Sequence, residues 1–114
     1  MEKIGMIGTG AMGLALLERL KLTGVRVTCF DCHAPALQQA RALDMDVAGS
    51  AAEVAEVSTL IDIVVRTDQD MLDCVLGPKG VLEGARPETL LLLHSSILPQ
   101  TMKQVAEAAR TKSV

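Results

Sequence analysis

The stretch that most constrains this chain is Ile4-Gly-Met-Ile7-Gly8-Thr9-Gly10-Ala11-Met12-Gly13, an apolar run that enters G-x-G-x-x-G and leaves into a leucine-rich segment. A strand that must turn at once into a helix has few solutions, and glycines at this spacing supply one of them. A second β-like stretch, Val25 to Phe30, ends in Asp31. Taken in order, strand, glycine loop, helix, strand and acid form the dinucleotide-binding fingerprint. Gly8 permits the tight turn, Gly10 lets the backbone approach a pyrophosphate, and Gly13 brings helix and strand together. The helix N-terminus offers free N–H groups and the positive end of a dipole. The expected cofactor contacts are therefore Gly8, Thr9, Gly10, Ala11, Met12 and Gly13.

The remainder alternates strand with helix. Ile4 to Ile7 reads as a strand, and Gly13 to Thr23 as a helix with Leu16, Leu17 and Leu20 on one face and Gly24 at its end. Pro35 opens a helix that turns Leu37, Ala40 and Leu43 inward, and a short strand is expected around Val47. Ser50-Ala-Ala-Glu53 has the capping-box pattern. Leu60 to Val65 is a largely apolar strand rich in β-branched residues, Asp70 to Leu76 a short helix closed by Gly77-Pro-Lys-Gly80, and Leu90 to Leu93 a fifth strand. Pro99 begins a last helix with Met102, Val105, Ala106 and Ala109 on one face. This series predicts an α/β fold, a Rossmann-type doubly wound parallel sheet truncated after about five strands, with residues 1–114 as one dinucleotide-binding domain.

Composition narrows the function. Half the residues are hydrophobic (49%) but only Phe30 is aromatic, so the core must be aliphatic, as suits strands covered on both faces. A net charge of −3 argues against nucleic acid and anionic membranes as partners. No apolar run has membrane-spanning length, and the amino terminus does not read as a signal peptide. With three cysteines and no export signal, the expectation is reduced thiols and a cytoplasmic protein.

Asp31 is expected to accept hydrogen bonds from the adenine-ribose hydroxyls and to repel a 2′-phosphate, which favours NAD over NADP. Cys29-Phe-Asp-Cys32-His33 matches the C-x-x-C-H spelling, yet it straddles the strand end at which the fingerprint needs Asp31. It is therefore read as a buried Cys29 followed by loop residues, with no metal site. Ser95 and Ser96 follow the fifth strand, where they can either hydrogen-bond a ligand or cap the helix at Pro99. Arg66 ends the fourth strand and has two readings, a phosphate or ribose contact and an ion pair with Asp68 or Asp70.

Together these residues resemble the β-hydroxyacid dehydrogenases, the group that includes 3-hydroxyisobutyrate dehydrogenase. Gly8-Thr-Gly10-Ala-Met12-Gly13 looks like that family's G-x-G-x-M-G loop, and Ser95-Ser96-Ile-Leu-Pro99 like its S-T-x-x-P segment. The resemblance implies NAD as cofactor, a small hydroxy-acid substrate, a nicotinamide-side contact at Ser96, a substrate contact at Ser95 and a backbone contact at Thr67. Where the family is usually apolar with a proline, this chain has Arg66-Thr67-Asp68-Gln69, which leaves Arg66 without a family role. None of the lysines falls in the family's catalytic-lysine motif, so no catalytic residue is assigned. The expectation is a cofactor domain that lacks its helical catalytic partner, binds NAD weakly and turns nothing over by itself. Two alternatives stay open: a stand-alone NAD-binding regulatory module, and an imine reductase resembling the pyrroline-5-carboxylate reductases. The apolar Leu90–Leu93 strand is expected at an uncovered sheet edge, so homo-oligomerisation through that edge, or through the missing domain's face, is expected too.

Overall fold

The computed structural model describes residues 2–114. Its elements are β1 (Ile4–Ile7), α1 (Ala11–Leu22), β2 (Val27–Phe30), α2 (Ala34–Ala42), β3 (Asp46–Val47), α3 (Ala51–Glu56), β4 (Leu60–Ile63), α4 (Asp68–Leu76), α5 (Val81–Gly84), β5 (Leu90–Leu93) and α6 (Pro99–Thr111). The strands form one five-stranded sheet in the order β3-β2-β1-β4-β5, and every pairing is parallel. This is the α/β Rossmann arrangement that the alternation of strand and helix foretold. From β1 the chain works outward through β2 and β3, then crosses back to lay β4 on the other side of β1. A crevice opens at such a reversal, beyond the carboxyl ends of β1 and β4.

Successive side chains of a strand point to opposite faces, and the core divides accordingly. Met6, Leu17, Val27, Cys29 and Ala40 pack under α1 and α2. Ile7, Ile61, Ile63, Met71, Val75 and Val105 pack on the other face, under α3 to α6. Each such aliphatic side chain contributes about 1.5–3 kcal/mol relative to an exposed one, so a core with a single aromatic ring suffices. β5 forms an outer edge of the sheet, and its first residue, Leu90, is 54% exposed.

Several element limits differ from the sequence expectation for identifiable reasons. α1 starts at Ala11, ahead of Gly13, because the Leu14 N–H already reaches the Gly10 carbonyl at 2.8 Å. β2 starts at Val27, since the Val25 N–H turns back to the Leu20 carbonyl and closes the end of α1. β4 stops at Ile63 because a side chain from another loop takes the peptide groups of Val65. α4 starts at Asp68, capped by the Thr67 hydroxyl. The capping box at Ser50 is shifted: Ser50 Oγ accepts the Glu53 N–H, but Glu53 reaches back to the N–H of Gly49. α5 was hidden behind the breakers Gly77-Pro-Lys-Gly80, yet it buries Val81 and Leu82. On α6 the inward face carries Thr101 with Val105 and Ala109, while Met102 points outward and is exposed.

Candidate functional site

The glycine loop crosses from β1 to α1 at the switch point. Gly8 has φ +99°, and a Cβ placed there would lie 1.8 Å from the Val64 carbonyl oxygen. The loop therefore runs directly against the end of β4, and Gly13 in turn sits against the Gly8 carbonyl. Gly10 is different. A Cβ there would meet no atom within 4 Å, so nothing inside the chain demands glycine at that position. The space lies over the start of α1, which has no side-chain cap and no acidic residue in its first turn. Unpaired N–H groups facing open space at a helix start fit an incoming phosphate. Ala11 lines a groove of about 610 Å³ between the loop, α1 and α2, together with Gly10, Leu14, His33, Pro35 and Gln39. Met12 projects from the first turn of α1, 60% exposed.

Asp31 stands beside the loop at the end of β2. Its Oδ2 accepts the Thr9 N–H at 2.8 Å and faces the Thr9 hydroxyl at 3.4 Å, and its Oδ1 accepts the His33 N–H at 2.8 Å. Thr9 itself is fully buried. No local pattern foretells this clamp, which joins positions 22 residues apart. A carboxylate oxygen can accept two hydrogen bonds, so Asp31 retains acceptor capacity toward a sugar hydroxyl while it pins the loop.

Ser95, in the loop after β5, accepts the Val65 N–H at 2.9 Å and donates to the Val65 carbonyl at 2.6 Å. Its one hydroxyl proton is thus committed to the β4 terminus. Ser96 beside it is exposed. Neither serine caps α6, whose N-cap is Leu98 without a side-chain cap bond. Asp68 instead reaches across from α4, accepting the Leu98 N–H at 2.9 Å and the Thr101 hydroxyl at 2.5 Å. The bond from Thr101, and then that from Leu98, lower the Asp68 carboxyl from its usual value. Thr67 is exposed and uses its hydroxyl to cap α4. The ion pair expected between Arg66 and Asp68 or Asp70 does not form among the described residues. Arg66 is exposed at the switch point.

Asp62 is an acid in the middle of β4, buried on the sheet face opposite Ile61 and Ile63, with His94 Nδ1 at 2.8 Å from its Oδ1. Loss of water raises its carboxyl above the usual range, and the nearby imidazole only partly opposes that. A carboxyl with a raised folded-state pKa stabilises the fold below its unfolded value, and that contribution is lost as pH rises through the folded value. Asp62→Asn, similar in shape and never ionised, is expected to raise Tm at pH 7 by about 2–4 °C and to leave Tm at pH 3 near wild type. Thermal melts at the two pH values check this, and an equal change at both would contradict it.

The cysteines are unpaired. Cys29 lies fully buried in β2, its thiol pushed up to about 12 chiefly by burial, while Cys32 and His33 sit exposed in the following loop. No helix is long and apolar enough to cross a membrane among the described residues.

A family model described as the NAD binding domain of 6-phosphogluconate dehydrogenase matches residues 3–114. The chain is 33% identical over 112 residues to an Arabidopsis thaliana protein named Probable 3-hydroxyisobutyrate dehydrogenase-like 1, mitochondrial, covering 97% of this chain and 34% of that protein. Its fold superimposes on Mycobacterium tuberculosis 3-hydroxyisobutyrate dehydrogenase, solved with L-serine, at a TM-score of 0.90 and 27% identity, covering 99% of this chain and 38% of that one. An imine reductase from Myxococcus stipitatus in complex with NADP+ shares the fold at a TM-score of 0.83 and 23% identity, covering 98% of this chain and 38% of that one. The chain thus spans about a third of the length of the curated relatives it matches.

Proposed function

Because this chain belongs to the family of NAD binding domains found in 6-phosphogluconate dehydrogenase, we propose that it holds the cofactor of an oxidoreductase that exchanges hydride between NAD and a small β-hydroxy acid. The observation that carries this reading is the open space before Gly10, set over the uncapped start of α1 with Asp31 alongside. The likeness to 3-hydroxyisobutyrate dehydrogenases supports the substrate class. Bound NAD would supply the hydride acceptor, and the residues of this chain bind and orient it.

Each site residue has a proposed part. Gly8, Thr9 and Gly13 shape the loop, and the backbone at Gly10, Ala11 and Met12 faces the pyrophosphate. Asp31 accepts from the adenine ribose and disfavours a 2′-phosphate. Thr67 contributes a backbone contact and Ser96 the free hydroxyl on the nicotinamide side. Ser95 reaches substrate only through its remaining acceptor capacity, since its proton is held by Val65. General acid chemistry on a hydroxyl needs a positioned donor, and no described residue is assigned that role. The proposed domain occupies residues 1–114, and its free thiols fit the reducing cytoplasm.

Calorimetric titration with NAD and NADP tests the reading. NAD is expected to bind measurably, and NADP at least about tenfold more weakly; no NAD binding, or equal affinities, would overturn it. The exposed β5 edge is proposed to pair with a further strand, here one from a second copy. Light scattering should then show a mass that rises with concentration, and a monomer throughout would refute self-association.

A further inference from the structure

We infer that Arg66 is a pyrophosphate-binding residue of this chain, one that the glycine-loop fingerprint does not supply; the inference rests on the NAD reading above. Loops leaving the carboxyl ends of the strands form the rim of the crevice: 8–10, 31–33, 48–50, 64–67 and 94–98. Arg66 is the sole lysine or arginine among all of these residues. A dinucleotide brings two negative charges to that rim, while the chain carries a net charge of −3 and places the Asp31 carboxylate there. Helix N–H groups and a dipole can hold a phosphate by hydrogen bonding, but they leave its full charge unmatched.

The structure puts Arg66 where it can match that charge. Val64, two residues before it, donates its N–H to the Ile7 carbonyl, and its own carbonyl lies against Gly8. The β4 terminus and the glycine loop are thus in direct contact. Both neighbours of Arg66 are fixed, Val65 by the Ser95 hydroxyl and Thr67 by its cap on α4. The side chain is exposed, and no carboxylate pairs with it among the described residues. Asp68, the nearest acid in sequence, is occupied by Leu98 and Thr101. A guanidinium on a fixed backbone and free of ion pairs can meet a phosphate with two parallel N–H bonds, which a lysine cannot.

The test titrates wild type, Arg66→Gln and Arg66→Lys with ADP-ribose and with NAD at two salt concentrations. ADP-ribose carries the pyrophosphate but no nicotinamide. Arg66→Gln should weaken both ligands alike, by about tenfold or more, and flatten the salt dependence of binding while Tm stays at the wild-type value. Arg66→Lys should keep the salt dependence and recover part of the affinity. Unchanged ADP-ribose affinity in Arg66→Gln would overturn the inference, whether or not NAD binding falls, because the contact would then lie elsewhere. A wild-type chain that binds neither ligand would overturn the cofactor reading itself.

Discussion

Gly8→Ala is expected to destabilise this protein severely, whereas Gly10→Ala is expected to leave it stable and impair its ligand. At Gly8 the added carbon would overlap the Val64 carbonyl oxygen at 1.8 Å, in a backbone region (φ +99°) that side chains rarely adopt. Neither β1 nor β4 can yield, because the two strands are paired residue by residue from Ile4↔Leu60 to Ile7↔Ile63. A loss of about 3 kcal/mol or more follows, a large part of the stability of a domain this size. At Gly10 the backbone is extended (φ −74°, ψ −164°) and the new methyl meets nothing. Its cost to stability should stay within about 0.5 kcal/mol, the usual range for a surface change. The methyl would occupy the space assigned to the pyrophosphate, so NAD affinity should drop at least about tenfold. Urea denaturation and calorimetry on both variants separate the effects. A destabilised Gly10→Ala that still binds NAD like wild type would refute the assignment.

Asp31→Ala should reduce stability and cofactor affinity together. The carboxylate accepts two backbone N–H groups, one of them from the buried Thr9. Hydrogen bonds to a charged group contribute about 1.5–3 kcal/mol each, and a buried donor left unpaired costs a further share. A destabilisation of about 2–3 kcal/mol is expected from these combined, since the His33 N–H can turn to water. Binding should suffer twice, through the lost ribose acceptor and through a loosened loop, and the preference for NAD over NADP should narrow. Asp31→Asn keeps one acceptor oxygen and should fall between alanine and wild type in the urea midpoint. An Asp31→Ala protein with unaltered midpoint would remove the clamp from the account. One that bound NAD as tightly as wild type would remove the selector.

Which features were legible follows from how far each interaction reaches. The glycine loop, the strand expected from Leu60 to Val65 and the Pro99 helix start are local patterns, and all stand where the sequence put them, the strand ending two residues early at Ile63. The residues of the candidate site were likewise named by motif, but their bonds were not. Ser95 gripping Val65, and Asp68 holding Leu98 and Thr101, each join chain segments about thirty positions apart. No short window contains both partners. Thr101 in place of Met102 on the inner face of α6 has the same origin, because Asp68 makes burial of a hydroxyl favourable there. The one local trace of the Asp62–His94 pair was an acid inside an otherwise apolar strand. A buried charge in that position calls for a partner, and the sequence could not say which.

The Ser95 hydroxyl closes a small ring with a single residue, giving to the Val65 carbonyl and taking from the Val65 N–H. One wall of the crevice is thereby set before any ligand arrives. Ordering a loose turn on association consumes part of the binding free energy, and here that ordering is completed during folding. Removal of this hydroxyl would therefore show itself less in the contacts of a bound cofactor than in the entropy of binding.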